Sequence, residues 1–175
     1  MVYWLTGLAG AGKTTIGRRL YHVLREEQHN TIFLDGDDLR GIMGNTCGHG
    51  INDRQKLAEA YARLCRLLSS QGFNVICATI SMFHRVREWN RKHITYYTEI
   101  YIKVPMEILF QRNQKQIYSN CQQGKGQVVG VDLPFEEPVH PHIILQNDGS
   151  RPIDALVDEL LFHCKREERE TGFQD

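Results

Sequence analysis

A glycine-rich stretch near the N-terminus constrains this chain more than any other feature. Residues 7–14 read Gly-Leu-Ala-Gly-Ala-Gly-Lys-Thr and match G-x-x-x-x-G-K-[ST], with an apolar stretch before them and a helical pattern behind them. Glycines let the backbone turn its N–H groups inward around a polyphosphate, and the following helix adds its positive dipole end. A glycine-rich structural turn is the alternative, but the flanking strand and helix favour a nucleotide phosphate site.

Within this loop, each residue type has an expected role. Lys13 should reach the β and γ phosphates of ATP, and the Thr14 hydroxyl should ligate Mg²⁺. The predicted ATP-binding residues are Gly7, Leu8, Ala9, Gly10, Ala11, Gly12, Lys13, Thr14 and Thr15.

Length, charge and cysteine usage limit the classes of protein to consider. The 175 residues predict one globular domain over 1–175, and equal numbers of basic and acidic residues (21 each) predict no nucleic-acid or membrane partner. No apolar run approaches the roughly 20 residues of a membrane-spanning helix, and the chain starts directly in a strand, so we expect a cytoplasmic protein. Five scattered cysteines without a C-x-x-C pair support neither a disulfide framework nor a zinc site. Cys65 and Cys77 are expected to be small core residues.

Hydrophobic periodicity predicts strands that alternate with helices. Strands are expected at 2–5, 31–34, 73–78 (the central strand), 99–104 and 142–146, and the main helices at 15–27, 53–70, 106–113 and 152–165. This order indicates an α/β protein with a P-loop kinase fold, a five-stranded parallel sheet with helices on both faces. We expect a loop over 41–52, Asp53 as a helix N-cap, a mobile lid over about 112–141 and a frayed tail over 166–175.

Acidic residues follow the second strand but not the third. Asp35 and Asp37 stand where α/β folds place their chemistry, at a strand's carboxyl end. Because no acid ends the third strand, a conventional Walker B carboxylate is missing, which disfavours motor ATPases and GTPases and favours a small-molecule kinase. Asp35 and Asp37 are therefore expected to share two tasks, holding the water shell of Mg²⁺ and activating the acceptor hydroxyl. Which of them is the base stays open.

Two groups of cations lie further along the chain. Arg87 and Arg91 are one helical turn apart, so they either belong to a solvated basic face, as Arg85 and Lys92 do, or hold a phosphate or sulfate together. Arg112 and Lys115 lie where a kinase lid would bring cations over the transferring phosphoryl group.

Taken together, these motifs resemble the adenylylsulfate (APS) kinases from the first strand to the last helix. The most specific matches are an Asp-Gly-Asp-x-x-Arg segment and a Gly-x-Asp-x-Pro-aromatic-Glu segment. The matching positions include 7–15, 34–40, 53–54, 80–81, Arg87, Arg91, 104–107, 111–112, Lys115, Tyr118, 130–132, 134–136 and Pro138.

The resemblance implies an ATP- and Mg²⁺-dependent homodimeric kinase that phosphorylates the ribose 3′-hydroxyl of a nucleotide with a second anionic group. By position, Asp37 or Asp35 would act on that hydroxyl, while Arg40 and Arg54 would grip the phosphate-sulfate end. For Arg40, a surface ion pair is the alternative. The expected catalytic residues are Asp37, Asp35, Lys13 and Arg112, and the expected acceptor-binding residues are Arg40, His49, Arg54, Leu57, Ile80, Ser81, Lys115, Val128, Gly130 and Asp132.

Departures from the family pattern concentrate around the acceptor's base. APS kinases usually hold the adenine between two phenylalanines, but here the corresponding stretches are Cys-Gly-His-Gly at 47–50 and Val-Val-Gly-Val-Asp at 128–132. Leu57 replaces an asparagine that also touches the acceptor, and His49 becomes a candidate partner of the base. Losing a stacking contact costs roughly 1–3 kcal/mol. APS and cytidine diphosphoramidate, the acceptor of a related kinase type, therefore both stay open, as does a nucleotide-binding regulatory module without turnover.

Overall fold

The computed structural model describes residues 1–43, 50–124 and 127–170, with side chains as far as Cys164. Strands and helices alternate along these ranges. They are β1 (Val2–Thr6), α1 (Lys13–Glu27), β2 (Thr31–Asp35), α2 (Gly36–Met43), α3 (Ile51–Ser70), β3 (Asn74–Ala78), α4 (His84–His93), β4 (Tyr97–Lys103), α5 (Met106–Arg112), a 3₁₀ turn (Gln114–Gln116), α6 (Ile117–Gln122), β5 (Ile143–Gln146) and α7 (Ile153–Glu170).

The five strands form one parallel sheet in the order β2-β3-β1-β4-β5. The predicted parallel sheet is confirmed, but the strand at its centre is β1 rather than the third strand. β3 lies between β1 and β2, with Asp35 opposite Ala78 in the register. This order brings the end of the acid-bearing strand β2 to the same edge of the sheet as the phosphate-binding loop after β1.

Helices cover both faces of the sheet. They are required on both because successive side chains of a strand point to opposite faces, and every residue of the central strand β1 is buried. Leu5 of β1 packs in the cluster that contains Ile16 and Leu20 of α1. Trp4 points to the other face, where the helices α3 and α4 supply the apolar partners. Cys65 and Cys77 lie in this second cluster and are fully buried, which confirms them as small core residues.

The loop expected over 41–52 is wrong at both ends. α2 runs to Met43, and its first turn is capped by Asp35, whose Oδ1 accepts a hydrogen bond from the N–H of Asp37 at 2.8 Å. α3 begins at Ile51 after an extended Gly50, so Asp53 lies inside the first turn and is not the N-cap. A capping carboxylate from the preceding strand therefore outweighs the glycine content that suggested a loop.

The last helix is longer than the periodicity predicted. α7 continues to Glu170, so the frayed tail expected from residue 166 is wrong as far as that residue. Among the residues that the structure describes, no helix has both the length and the apolar character needed to cross a membrane.

Candidate active site

A cavity of about 190 Å³ lies at the carboxyl ends of β1, β2 and β3. It gathers most of the predicted site residues from segments far apart in the chain. Those that line it are Ala9, Gly10, Gly12, Lys13, Thr14, Thr15, Asp35, Asp37, Arg40, Arg54, Leu57, Ile80, Ser81 and Lys115.

The phosphate-binding loop is held in shape from behind by three side chains. Their donors bind successive loop carbonyls and so fix the orientation of three peptides. The three bonds run from Tyr118 Oη to Ala9 O (2.7 Å), from Arg112 Nη1 to Gly10 O (3.3 Å) and from Asn147 Nδ2 to Ala11 O (2.8 Å). Within the loop, the N–H of Ala11 donates to Leu8 O at 3.2 Å. Asn147 was not among the predicted site residues. The sequence feature that would have found it is a polar residue directly after a strand, here β5.

Gly12 and Lys13 form the junction between this loop and α1. Gly12 adopts φ 95°, and a Cβ there would collide with the side-chain amide of Asn147, so this position requires glycine. The Lys13 ammonium donates to Leu8 O at 2.8 Å. Burial lowers the pKa of Lys13 from 10.5 to about 8, although the carboxylates of Asp37 and Asp35 oppose that shift. An anionic polyphosphate beside this amine would stabilise its charged form.

Asp35 and Thr14 form a pair of oxygen ligands. Thr14 Oγ1 donates to Asp35 Oδ2 at 2.7 Å, and Asp35 is 8% exposed. A hydroxyl and a carboxylate in contact fit Mg²⁺, which is commonly held by one or two protein oxygens together with substrate phosphates and water. No group of three or more His, Cys, Asp or Glu side chains that could hold a metal ion occurs in the described part of the chain.

Asp37 differs from Asp35 in being exposed at the mouth of the cavity. Its Oδ2 accepts a hydrogen bond from Lys115 Nζ at 2.7 Å, and both side chains remain largely accessible. This ion pair joins α2 to the 3₁₀ turn and raises the pKa of Lys115 through the hydrogen bond and the charge of Asp37. Of the two carboxylates, both of which line the cavity, Asp37 is therefore the more accessible to an incoming hydroxyl.

Arg40 and Arg54 bring two positive charges to the acceptor side of the cavity. Burial lowers the pKa of Arg54, and repulsion from Arg40 lowers it further. Arg54 Nη2 also donates to Gln127 O at 3.3 Å. Two guanidinium groups that repel each other favour an anion with at least two charges between them.

Further residues complete the acceptor half of the cavity. Ser81 has φ 29°, and its buried hydroxyl has no hydrogen-bond partner among the described residues. Such an unpaired group in a cavity wall suits a bound ligand. The cavity also includes residues that the sequence did not assign to it: Tyr61, Thr79, Met82, Phe83, Gln114, Ile117, Val129 and Pro134. Phe83 and Tyr61 are the aromatic residues of this set. The sequence feature that would have found them is their spacing from predicted site residues, two positions after Ser81 and one helical turn after Leu57.

Several predicted acceptor residues lie outside the cavity lining. Val128 and Val129 are both buried in the core, and of the two only Val129 also lines the cavity. Asp132 contacts Cys121 Sγ and accepts from the N–H of Val128, and Gly130, with φ 93°, packs close to Leu8. These residues shape the loop behind the cavity wall. His49, the candidate partner of the base, lies outside the described residues.

Arg87 and Arg91 do not form the phosphate or sulfate site considered from their spacing. Arg87 is 1% exposed and lies 3.4 Å from Glu99, and Arg91 Nη2 donates to Glu99 Oε2 at 2.6 Å. Neither lines the cavity. That interpretation is wrong because a buried carboxylate on β4 takes up both guanidinium groups.

Arg112 is held behind the phosphate-binding loop, not over the cavity. Besides Gly10 O, it donates to Asn147 O at 2.8 Å.

A hydrogen bond from a charged group contributes about 1.5–3 kcal/mol. We therefore expect Arg112→Ala to raise the KM for ATP at least tenfold and lower the melting temperature, with a smaller change in kcat. Steady-state kinetics and thermal melts measure these quantities; a hundredfold fall in kcat at unchanged KM would instead support the lid role.

Comparison with known proteins identifies the family. The adenylylsulphate kinase family model matches residues 1–146. The chain belongs to the adenylylsulphate kinase family. It is 40% identical over 164 residues to the cytidine diphosphoramidate kinase of Campylobacter jejuni, covering 91% of this chain and 94% of that relative. The adenylyl-sulfate kinase of Paraburkholderia xenovorans is 33% identical over 173 residues, covering 98% and 96% of the two chains.

Solved structures agree with this assignment. The adenylylsulphate kinase of Mycobacterium tuberculosis, in complex with AMPPNP and APS, superposes with a TM-score of 0.84 at 25% identity, covering 94% of this chain and 96% of that one. Shikimate kinase from Aquifex aeolicus, at 18% identity and a TM-score of 0.59, shares the fold alone. This adenylylsulphate kinase family member is therefore an ATP-dependent kinase of nucleotides, which disfavours the regulatory module without turnover.

Proposed function

We propose that this kinase phosphorylates the ribose 3′-hydroxyl of cytidine diphosphoramidate. One observation carries the choice of acceptor: the base side of the cavity is lined by aliphatic Leu57 and Val129. Leu57 stands where APS kinases present an asparagine, and their second phenylalanine corresponds to Val128, the buried neighbour of Val129. An adenine would lose a stacking contact there, which is worth roughly 1–3 kcal/mol. The 40% identity to the Campylobacter jejuni kinase supports the same acceptor.

APS is the second candidate because the cavity retains aromatic side chains. Phe83 and Tyr61 both line it and offer ring surfaces to a base from other elements of the fold. Arg40 and Arg54 serve either acceptor, since both acceptors carry a diphosphate-like anionic end.

In the proposed reaction, Asp37 accepts the proton of the acceptor's 3′-hydroxyl as its oxygen bonds to the γ-phosphorus of ATP. The bond from that phosphorus to the β–γ bridging oxygen breaks, and ADP leaves with the electron pair. Lys13 and backbone N–H groups at the start of α1 bind the phosphates and stabilise charge that develops in the transition state. Lys115 supplies a second cation at the cavity mouth.

Thr14 and Asp35 would hold Mg²⁺, Thr14 directly and Asp35 through the water shell. The ion would neutralise phosphate charge and orient the β and γ phosphates. Asp35 thereby takes the metal task and leaves Asp37 as the base. The contact with Thr14 and the cap on α2 support this division, because both hold the Asp35 carboxylate in one orientation.

A coupled ADP-release assay with Mg·ATP and each acceptor in parallel tests the proposal. We expect turnover with cytidine diphosphoramidate and a kcat/KM at least tenfold lower with APS. Turnover with APS at low micromolar concentration, without turnover of the cytidine compound, would contradict the proposal and place Phe83 and Tyr61 beside adenine.

Introducing an aromatic ring into the cavity wall should shift the preference toward adenine. We expect Val129→Phe to lower the KM for APS about tenfold, the effect of one base-stacking contact. Val131→Phe is the matched control, since Val131 lies in the same turn, is 41% exposed and does not line the cavity. Equal effects of the two variants on the KM for APS would show that Val129 does not face the base.

We also propose that the kinase is a homodimer and acts in the cytoplasm. Family resemblance supports the dimer, and the use of ATP as the phosphoryl donor supports the compartment. Light scattering coupled to size-exclusion chromatography measures the mass directly; 20.3 kDa, the mass of one chain, would contradict the dimer.

A further inference from the structure

A buried ion cluster lies on the α4 face of the sheet, away from the phosphate-binding loop. Glu99 of β4 is fully buried, and Arg87 and Arg91 of α4 both point to it, at 3.4 Å and 2.6 Å. One carboxylate therefore serves two guanidinium groups. The proposed reaction uses none of these three side chains.

The cluster is tied to a segment without regular secondary structure, residues 134–141, which we call the strap. Arg87 Nη2 donates to Glu136 O at 2.7 Å, and Arg91 Nη2 donates to His140 O at 2.8 Å. Each guanidinium thus joins Glu99 to a carbonyl of the strap. The two arginines therefore bind the strap at Glu136 and His140, and both are paired with the same buried carboxylate.

The strap is also tied to the start of α4. The N–H of Glu136 donates to Met82 O at 3.1 Å. The Glu136 carboxylate accepts a hydrogen bond from the N–H of His84, the first residue of α4. Placed there, the carboxylate caps the helix.

Both segments held in this way border the acceptor half of the cavity. Pro134, the first residue of the strap, lines the cavity, and so does Phe83, the residue before α4. Met82 and Ser81, next to Phe83, line it as well. Movement of the strap relative to α4 would therefore change the acceptor's surroundings and leave the phosphate-binding loop in place.

Some polar atoms of the buried cluster make no hydrogen bond to any residue that the structure describes. A cluster whose only role was to stabilise the fold would be expected to pair them. Among the described residues, Glu99 Oε1 and Arg87 Nη1 are buried without a hydrogen-bond partner. Burial raises the pKa of Glu99 even though Arg91 and Arg87 counter the shift. Buried ion pairs contribute little net stability on average and are retained in some proteins because they select one geometry.

We infer that Glu99, Arg87 and Arg91 are positioning residues that hold the strap against α4 and thereby set the affinity for the nucleotide acceptor. The inference rests on the proposed function only in placing the acceptor beside Pro134 and Phe83. It is independent of whether the acceptor's base is cytosine or adenine.

Glu99→Gln tests this inference, because it removes the charge and keeps the shape of the side chain. We expect the KM for the acceptor to rise about tenfold or more, as for the loss of a hydrogen bond to a charged group, and the KM for ATP to change less than twofold. Arg91→Met should act in the same direction, and Arg91→Lys should recover part of the loss because it restores a cation beside Glu99.

Lys103→Met is the matched control. Lys103 lies on the same strand, and its 2.8 Å ion pair with Glu137 joins that strand to the same strap, but both side chains are exposed. An exposed ion pair contributes little, so we expect the KM for the acceptor to change less than twofold. A change as large as that of Glu99→Gln would overturn the special role of the buried cluster.

Hydrogen exchange gives a second readout that needs no acceptor. In Glu99→Gln, the amides of Glu136 and His84 should exchange at least tenfold faster, while amides of α1 keep their protection. Unchanged exchange of these two amides would overturn the inference. So would equal increases in the KM for ATP and for the acceptor, since these indicate general loss of structure. Should neither candidate acceptor turn over, the proposed function fails and exchange alone decides the inference.

Discussion

Asp37→Asn is expected to reduce kcat by about 10²–10⁴-fold, the usual contribution of a positioned general base. The amide keeps the size of the side chain but cannot accept the hydroxyl proton. Binding of ATP should be unchanged, because no loop N–H group or loop carbonyl depends on this side chain. The lost contact with Lys115 is an exposed ion pair, which is worth at most about 1 kcal/mol, so the protein should remain folded.

Asp38→Asn provides the matched control for that experiment. Asp38 is the next residue, lies in the same helical turn and is exposed, but it does not line the cavity. We expect its rate of acceptor-dependent ADP release to stay within about twofold of wild type, as for an exposed charge. An unchanged rate in Asp37→Asn would show that Asp37 is not the base, and Asp35 would then be the remaining candidate.

Lys13→Met should have an effect of similar size on the rate but a different effect on stability. Removing a cation that stabilises transition-state charge costs about 10²–10³-fold in kcat. The burial that lowers the pKa of Lys13 to about 8 also means that its charge is costly in the free protein. Methionine fills similar space without that charge, so we expect the melting temperature to stay the same or rise.

The sign of the pH dependence follows from the lowered pKa. In the window from pH 8 to 10.5, the unfolded chain holds a proton on Lys13 that the folded protein has released. Stability of the wild type from this residue therefore rises with pH across the window, and Lys13→Met should remove that rise. Thermal melts at pH 8 and pH 10 measure it, with Lys56→Met, an exposed lysine on α3, as the control. A fall in melting temperature in Lys13→Met at pH 8 would contradict the expected cost of burial.

The phosphate-binding site could be predicted because its determinants are local in the chain. Gly12, Lys13 and Thr14 are consecutive, and their roles depend on a strand, a turn and a helix start that hydrophobic periodicity already indicates. The parallel sheet was predictable for the same reason, since alternating strands and helices leave few arrangements. The position of Asp35 at a strand end was likewise visible, and the structure adds its contacts with Thr14 and α2.

The acceptor side of the cavity could not be predicted in the same way, because residue spacing does not say which side chains face the cavity. Val128 and Val129 are adjacent, identical and both buried in the core, and only the turn around Asp132 decides that the second also lines the cavity. Similarly, the one-turn spacing of Arg87 and Arg91 was compatible with an anion site.

The sequence alone therefore determined the family, the fold class and the phosphate-binding loop, because each depends on residues close together in the chain. Tertiary structure alone decided which charged groups come into contact with one another. Glu99 on β4 takes both arginines of α4, and Arg112 binds behind the loop beside Asn147. A buried charge pairs with whichever opposite charge or carbonyl folding brings within reach, and this depends on strand order and helix packing rather than on distance along the chain.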